Sequence, residues 1–267
     1  MKIREGFIEL VLSSFFWGTI GIVDQISYSI GGSVFSIVFI RSLISTFLCI
    51  PLVDFRKIIN IRALLLGIIT SIFYEIYLIT IPIDGPSLSA VFLYTAPVWI
   101  ILVLPFVERE KVTSRKILGS VLVVIGLYII YLGFPNLLKF LLGIACGLSY
   151  AGVILISRKL QINGVRDWEL IASQSFWSLP FTALFVRSFS IPSIEGGLYM
   201  GIFATFVPYY FFYKGMRKSD SLTASIISAL EPVFTILLAF FILDQLLNIR
   251  DILGTLVILI SIIIISI

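Results

Sequence analysis

Histidine is missing from this 267-residue sequence, and charged residues make up only 13% of it. The lack of histidine excludes histidine metal sites, histidine proton relays and Ser-His or Cys-His catalytic pairs. Soluble globular proteins carry about 25% charged residues, so this chain has too little polarity to cover a water-facing surface. Its two cysteines, Cys49 and Cys146, lie inside apolar segments, which argues against a disulfide framework.

Apolar residues make up 59% of the chain and its mean hydropathy is +1.12, which predicts an all-α integral membrane protein. A membrane-spanning helix needs about 20 mostly apolar residues. Charged and turn-forming clusters divide the sequence into ten such spans, at residues 7–29, 34–53, 63–83, 87–107, 117–133, 138–157, 168–187, 195–214, 221–242 and 252–267. The loops are too short for a separate catalytic domain. We expect no metal, no cofactor and no nucleic-acid partner.

The chain contains its own sequence pattern twice. Residues 87–90 (Ser-Leu-Ser-Ala) return as residues 221–224 (Ser-Leu-Thr-Ala). The predicted repeats are residues 1–133 and 134–267, with five spans each. Because five is odd, the second repeat is expected to lie inverted relative to the first, which is a common construction of secondary transporters. Shifts of 133 to 135 residues align Trp17 with Tyr150, Arg41 with Gln174, Gly67 with Gly201, Pro97 with Pro232 and Gly119 with Gly254.

Basic residues are distributed unevenly among the loops. If the N-terminus is cytoplasmic, fifteen of the nineteen Lys and Arg residues fall in inside segments, three fall outside, and Arg41 lies within a span. This bias follows the positive-inside rule. It predicts a multi-pass protein of the cytoplasmic membrane, surrounded by lipid, with both termini in the cytoplasm.

Four ionisable residues lie inside the spans, namely Asp24, Arg41, Glu75 and Glu231. Each costs roughly 2.5–3.5 kcal/mol at a helix centre on insertion scales, so each calls for a partner or a function. An ion pair of Arg41 with Asp24 or Glu75 is one interpretation. Asp24 lies closer to a span end, where interfacial water could solvate it.

Prolines inside spans indicate broken helix backbone. Pro97, Pro208 and Pro232 cannot bond the carbonyl four residues earlier, and freed backbone at membrane depth survives only within protein or beside a wet cavity. A kink without function is the alternative. Together with small and polar residues at helical spacing, these features give a candidate cavity of Trp17, Arg41, Tyr74, Glu75, Tyr94, Pro97, Tyr150, Tyr209, Ser228, Glu231 and Pro232. Candidates for proton or charge coupling are Glu75, Glu231 and Asp24.

The fifth and tenth spans carry few polar groups beyond glycine, serine and threonine. They are predicted to face lipid as scaffold or to form the surface of a homodimer.

Several short motifs resemble the drug/metabolite transporter superfamily, EamA type. They are Ser13 to Gly18, which ends Phe-Trp-Gly; Phe39 to Ser42 (Phe-Ile-Arg-Ser); and the two copies Ser87, Pro97, Glu110, Gly119 and Ser221, Glu231, Pro232, Gly254. The resemblance covers essentially all residues. It departs from the family pattern at Gln245, which stands where the first copy has Glu110, and at Thr95-Ala96-Pro97, which lacks the carboxylate of Leu230-Glu231-Pro232.

This resemblance implies a permease, often an exporter, for amino acids or other small metabolites. It also implies a central cavity lined by spans 1, 3, 4, 6, 8 and 9. We therefore predict alternating access to a midplane cavity, with a small-molecule substrate and possible coupling to protons, and no enzymatic activity. Two alternatives stay open: a flippase of a lipid-linked or amphipathic substrate, and a multipass membrane enzyme.

Overall fold

Helices form all the regular structure in the part of the chain that the structure, a computed structural model, describes: residues 5–84, 93–108, 112–131 and 137–266. The helices of the first repeat are α1 (Phe7–Gly18), α2 (Ile20–Ser29), α3 (Val34–Cys49), α4 (Ile61–Asp84), α5 (Ala96–Val107) and α6 (Ser114–Tyr131). Those of the second are α7 (Leu137–Ile162), α8 (Asp167–Ala183), α9 (Ile191–Gly201), α10 (Val207–Lys218), α11 (Ser221–Ser228), α12 (Leu230–Ile242) and α13 (Ile249–Ser266).

Six helical segments within the described ranges are long and apolar enough to cross a membrane. They are Phe7–Ser29, Val34–Leu52, Ile61–Thr80, Leu141–Ile162, Ser221–Ile242 and Ile249–Ser266. The chain is therefore a multi-pass membrane protein. The sequence predicted ten spans. Of the other four, residues 87–92 and 132–133 lie outside the described residues, α8 has only 17 residues, and a π-helical segment, Ile202–Phe206, separates α9 from α10.

The helix packing follows the sequence repeat. α4 packs against α7 and α8, and the corresponding unit of the second repeat, α9 with α10, packs against α1 and α3. In the same way α5 packs against α7, while α11 and α12 pack against α1. α6 and α13, which correspond to the fifth and tenth predicted spans, pack mainly against each other. α4 and α5 thus both meet α7, the counterpart of α1, and their own counterparts, α10 and α12, both meet α1.

Two glycines at equivalent positions set the distance between the repeats. A Cβ at Gly67 in α4 would overlap Trp177 of α8, including its backbone atoms. A Cβ at the equivalent Gly201 in α9 would lie 2.6 Å from the Cβ of Ile44 in α3 and 3.0 Å from the Arg41 carbonyl oxygen. Small residues let transmembrane helices approach closely. At both contacts the helices lie so close together that a residue with a Cβ would not fit at the glycine position.

Replacing Gly67 with alanine should therefore push α4 away from α8. Overpacking typically costs about 1–3 kcal/mol, and thermal unfolding in detergent should show a lower melting temperature. Gly152→Ala is the matched control, because its Cβ would meet only the flexible Ile69 side chain, at 3.0 Å. Equal melting temperatures for the two variants would contradict this packing.

Several of the membrane helices are interrupted within the described residues. α1 and α2 are separated at Thr19, α9 and α10 by the π-helical segment, and α11 and α12 at Ala229. π-segments and broken helices frequently mark functional sites because they release backbone groups from the helix ladder. The breaks lie beside Trp17, Ala204 and Glu231, the residues around which the central site is built.

Candidate functional site

A small cavity lies between the two repeats. The space open to the centre of a water molecule is about 10 Å³, enough for about one water. Residues of both repeats line it: Trp17, Ile20, Arg41, Phe73, Tyr77 and Leu93 from the first, and Tyr150, Tyr209 and Glu231 from the second. Five of these, Trp17, Arg41, Tyr150, Tyr209 and Glu231, are residues that the sequence predicted for the cavity.

Glu231 is held by two tyrosines of the opposite repeat. The Tyr77 hydroxyl donates to its Oε1 at 2.6 Å, and the Tyr94 hydroxyl donates to its Oε2 at 2.7 Å. Glu231 is only 2% exposed. Hydrogen bonds to a charged group contribute about 1.5–3 kcal/mol each, so two of them offset the roughly 2.5–3.5 kcal/mol that a carboxylate costs at membrane depth. The carboxyl group is thereby fixed at the seam between the repeats.

Arg41 is the buried cation of the site. Its Nε donates to the Thr205 hydroxyl at 2.5 Å and its Nη2 to the Ala204 carbonyl oxygen at 2.9 Å. The guanidinium carbon lies 3.8 Å from the ring centroid of Tyr74, a cation–π contact worth about 2 kcal/mol when desolvated. Within the described residues its Nη1 has no hydrogen-bond partner. One nitrogen of a fully buried guanidinium, with its two N–H donors, is thus available to a ligand.

The carbonyl that Arg41 uses is one that the sequence predicted to be free. Pro208 has no N–H to bond Ala204, and the π-helical segment widens the backbone there. The Ala204 oxygen also accepts from the Trp17 indole nitrogen at 3.2 Å. The break between α9 and α10 is therefore stabilised by two side chains of the first repeat, Trp17 and Arg41.

Aromatic rings enclose the rest of the cavity. Trp17 packs edge-to-face against Tyr209, with centroids 5.1 Å apart, and against Tyr150 at 6.3 Å. Phe73 stacks on Tyr150 at 5.1 Å. The Tyr150 hydroxyl is buried and has no partner among the described residues. The walls offer flat apolar surface and a few unused polar atoms.

Arg41 does not form the ion pair that we considered. Neither Asp24 nor Glu75 is among the acids paired within 4.0 Å in the described part of the chain, because Arg41 turns toward Thr205 and Ala204 instead. The expectation that interfacial water solvates Asp24 is also wrong. Asp24 is 0% exposed, and both its carboxylate oxygens lack a hydrogen-bond partner within the described ranges.

The other candidates lie outside the cavity lining. Glu75 is half-buried, and its Oε1 has no partner in the described residues. The Ser228 hydroxyl donates to the Ala224 carbonyl of its own helix at 2.8 Å. Pro97 and Pro232 are buried in the first turns of α5 and α12. Within the described residues no cluster of three or more His, Cys, Asp or Glu side chains is placed to hold a metal ion.

Tyr77 is one of four lining residues that the sequence reasoning missed, with Ile20, Phe73 and Leu93. It lies three residues after Tyr74 and four after Phe73, so helical spacing puts all three near one face of α4. Tyr74 and Glu75 were the residues of this helix that the sequence predicted for the cavity. The spacing alone could have added Tyr77, because a buried carboxylate needs donors and tyrosine is one of the few available in an apolar helix.

Replacing Tyr77 with phenylalanine should leave the Glu231 Oε1 without its donor. An unsatisfied buried acceptor costs about 1–3 kcal/mol, so the melting temperature in detergent should fall. Tyr128→Phe is the control, since Tyr128 is 51% exposed. If both variants melt together, the Tyr77–Glu231 hydrogen bond contributes nothing.

Comparison with known proteins places this fold among membrane transporters. A family model described as "EamA-like transporter family" matches residues 4–132 and again residues 137–267. A protein of Archaeoglobus fulgidus named "Uncharacterized transporter" is 27% identical over 258 residues, which are 94% of this chain and 92% of that protein. "Uncharacterized transporter YdeK" of Bacillus subtilis is 27% identical over 106 residues, 38% of this chain and 37% of that protein.

A solved crystal structure has the same fold, with a TM-score of 0.81 over 99% of this chain and 98% of that one, at 16% identity. The two matches of the family model together span nearly the whole sequence. The chain therefore belongs to the EamA-like transporter family.

Proposed function

We propose that this chain is a permease that carries a small organic metabolite, such as an amino acid, across the cytoplasmic membrane. One observation carries the proposal: a carboxylate and a guanidinium are buried at the seam of two repeats, each held by side chains of the opposite repeat. Ionisable groups inside a membrane bundle mark substrate or ion pathways. Glu231 would take the solute's charged group or a proton, and Arg41 a carboxylate.

The proposed architecture is ten spans in two inverted five-span repeats, residues 1–133 and 134–267. Contacts at one end of the bundle support the inversion. α1 begins there, where Glu9 contacts Lys218, whereas its counterpart α7 ends there, where Arg158 contacts Glu108. A helix and its repeat equivalent thus run in opposite directions. We propose that this end, and both termini, lie in the cytoplasm, because the charge bias of the loops follows the positive-inside rule.

The size of the cavity supports alternating access. Sites for drug-sized ligands measure about 300–1,000 Å³, far more than the space of about 10 Å³ found here. A solute would therefore enter only after the repeats move apart on one side. Because every polar contact of Glu231 and Arg41 described above crosses the seam, this movement would remake the site on each cycle. We propose export as the direction and protons as the coupling ion.

A ligand screen tests the proposal at the level of binding. Purified protein would be heated with amino acids, sugars, nucleotides and polyamines in turn, and a bound solute should raise the melting temperature. The shift should disappear in Glu231→Gln and persist in Glu195→Gln, a matched change at an exposed position of α9. A shift that survives Glu231→Gln would move the binding site elsewhere.

A further inference from the structure

The two repeats are joined at both ends of the bundle, but by different chemistry. At the end where α1 begins, here called the charged end, four ion pairs among the described residues cross between the repeats. One is Lys57 with Glu169 at 3.7 Å, and its lysine is exposed. The other three are Glu9 with Lys218 at 2.5 Å, Glu108 with Arg158 at 3.0 Å, and Lys116 with Asp220 at 3.0 Å. Of these three, the pair of Glu9 with Lys218 is partly exposed, whereas the other two pairs are largely buried.

At the opposite end, here called the serine end, neutral hydrogen bonds join the repeats. The Ser33 amide donates to the Ser193 hydroxyl at 2.8 Å, and the Ser36 hydroxyl donates to the Ser188 carbonyl oxygen at 2.5 Å. The Ser190 hydroxyl donates to the Gly31 carbonyl oxygen at 3.1 Å. Water can replace such bonds at little cost, because the net contribution of a neutral hydrogen bond is only about 0.5–1.5 kcal/mol.

Glu108 and Arg158 form hydrogen bonds with the segment that connects α10 and α11. The Glu108 side chain is 1% exposed, and its Oε2 accepts from the Arg158 Nε. Its Oε1 accepts from the amide and the hydroxyl of Ser221. Arg158 also donates to the carbonyl oxygens of Met216 and Ser219, at 2.9 and 3.2 Å. Opening this end would separate all of these bonds together.

The Asp220 carboxylate of the second buried pair stays charged at neutral pH. Burial raises the pKa of Asp220, but the Thr223 amide and hydroxyl and the nearby Lys116 ammonium outweigh it and lower the pKa below its ordinary 3.8. A carboxylate with a lowered pKa keeps its contribution above that ordinary value and loses it only as the pH falls through the lowered one. The charge of Asp220 is therefore independent of pH near neutrality.

Comparing equivalent positions of the two repeats shows that the two ends differ in their charged residues. Inverted repeats of identical sequence would carry the same pairs at both ends. The position equivalent to Arg158 is Gln25, that of Glu108 is Leu243 and that of Lys116 is Asp251. Gln25 is exposed, and Asp251 accepts from the amide of Asn248 in its own turn at 2.9 Å. Among the described residues, the ion pairs that join the repeats lie at the charged end.

We propose that Glu108, Arg158, Lys116 and Asp220 form an ionic latch that keeps the charged end closed, so that the serine end opens first. Opening the charged end would break buried ion pairs, and a buried charge that loses its partner is strongly unfavourable. Among the described residues, the bonds between the repeats that would break when the serine end opens are neutral. The proposal rests on alternating access as the proposed function, and it states which of the two openings is the easier.

Thiol labelling in detergent measures the opening of each end without any solute. Cys49 and Cys146 are buried and free, and both would be replaced by alanine. Ser225→Cys reports on the charged end, because Ser225 is buried on α11 one turn after Ser221. Ser27→Cys reports on the serine end, since Ser27 is buried near the end of α2. Each rate of reaction with a maleimide would be divided by the rate in denatured protein.

With the latch intact, the reporter at Ser27 should react at least about tenfold faster than the one at Ser225, the ratio produced by about 1.4 kcal/mol. Glu108→Gln and Asp220→Asn should each raise labelling at Ser225 by about tenfold. Lys159→Gln is the matched control: Lys159 neighbours Arg158 but is exposed, and its variant should leave labelling unchanged.

Equal reaction of the two reporters in the chain with an intact latch would overturn the proposal, whether or not the latch variants fold. So would Glu108→Gln and Asp220→Asn variants that fold and label like Lys159→Gln. A chain that carries no tested solute but shows the labelling asymmetry would instead count against the permease function and leave the latch standing.

Discussion

Glutamine in place of Glu231 is expected to lower solute flux in proteoliposomes by about ten- to a hundredfold, the loss that follows from removing one hydrogen bond to a charged group. Both Glu231 oxygens accept from tyrosine hydroxyls, at 2.6 and 2.7 Å. An amide presents one donor where the carboxylate had an acceptor, so one tyrosine would face a group that cannot accept its proton. The variant would also lose the charge that a solute or proton could use.

Two further variants serve as comparisons for the flux of Glu231→Gln. Glu195→Gln removes an exposed carboxylate of α9 and should transport like the unmodified protein. Glu75→Gln tests the other predicted acid, which is half-buried and outside the cavity lining, and a smaller loss is expected there. Normal flux in Glu231→Gln, at a normal protein level, would remove this carboxylate from the mechanism.

Replacing Arg41 with glutamine is expected to abolish most transport and to lower stability as well. The change removes bonds to Thr205 and Ala204, at 2.5 and 2.9 Å, together with the cation–π contact to Tyr74. Each hydrogen bond from a charged donor contributes about 1.5–3 kcal/mol. The Ala204 carbonyl would keep only the Trp17 indole as a donor outside the helix, so the broken segment between α9 and α10 should loosen.

Arg41→Lys separates charge from geometry in this prediction. Lysine keeps the positive charge but cannot span two acceptors with a planar guanidinium, so it should restore little stability if the bonds across the seam are what matter. Arg187→Gln, at an exposed position, is the control for loss of charge alone. An Arg41→Gln protein that melts and transports normally would show that the seam does not depend on Arg41.

Much of the fold follows from the sequence because its signals are local. The shortage of charge predicts a membrane protein, and the recurrence of Ser87 to Ala90 predicts two repeats. The glycines at equivalent positions 67 and 201 mark equivalent close contacts. Proline is also a local signal. Pro208 predicted the free Ala204 carbonyl, which accepts hydrogen bonds from Trp17 and Arg41. The number of spans is harder to predict from local signals, because some helices, such as α8 and α9, are short or interrupted.

The partners inside the site depend on three-dimensional packing and escaped the sequence. Charge alone suggested that Arg41 would pair with an acid, yet a carbonyl and a hydroxyl hold it, because the π-helical segment brings them to its side. Asp24 seemed close to water but is fully buried. Glu108 and Arg158 were not singled out from the sequence, because a sequence does not reveal that residues fifty positions apart meet in a buried pair.

The central claim is that two opposed repeats carry a solute past a buried carboxylate by opening alternately to each side. Counterflow in proteoliposomes tests it most directly: vesicles preloaded with an unlabelled solute found in the ligand screen are placed in its labelled form. The account predicts transient accumulation of label that depends on the preloaded solute and vanishes with Glu231→Gln. Labelled solute that enters at the same rate with empty vesicles, or with that variant, would contradict it.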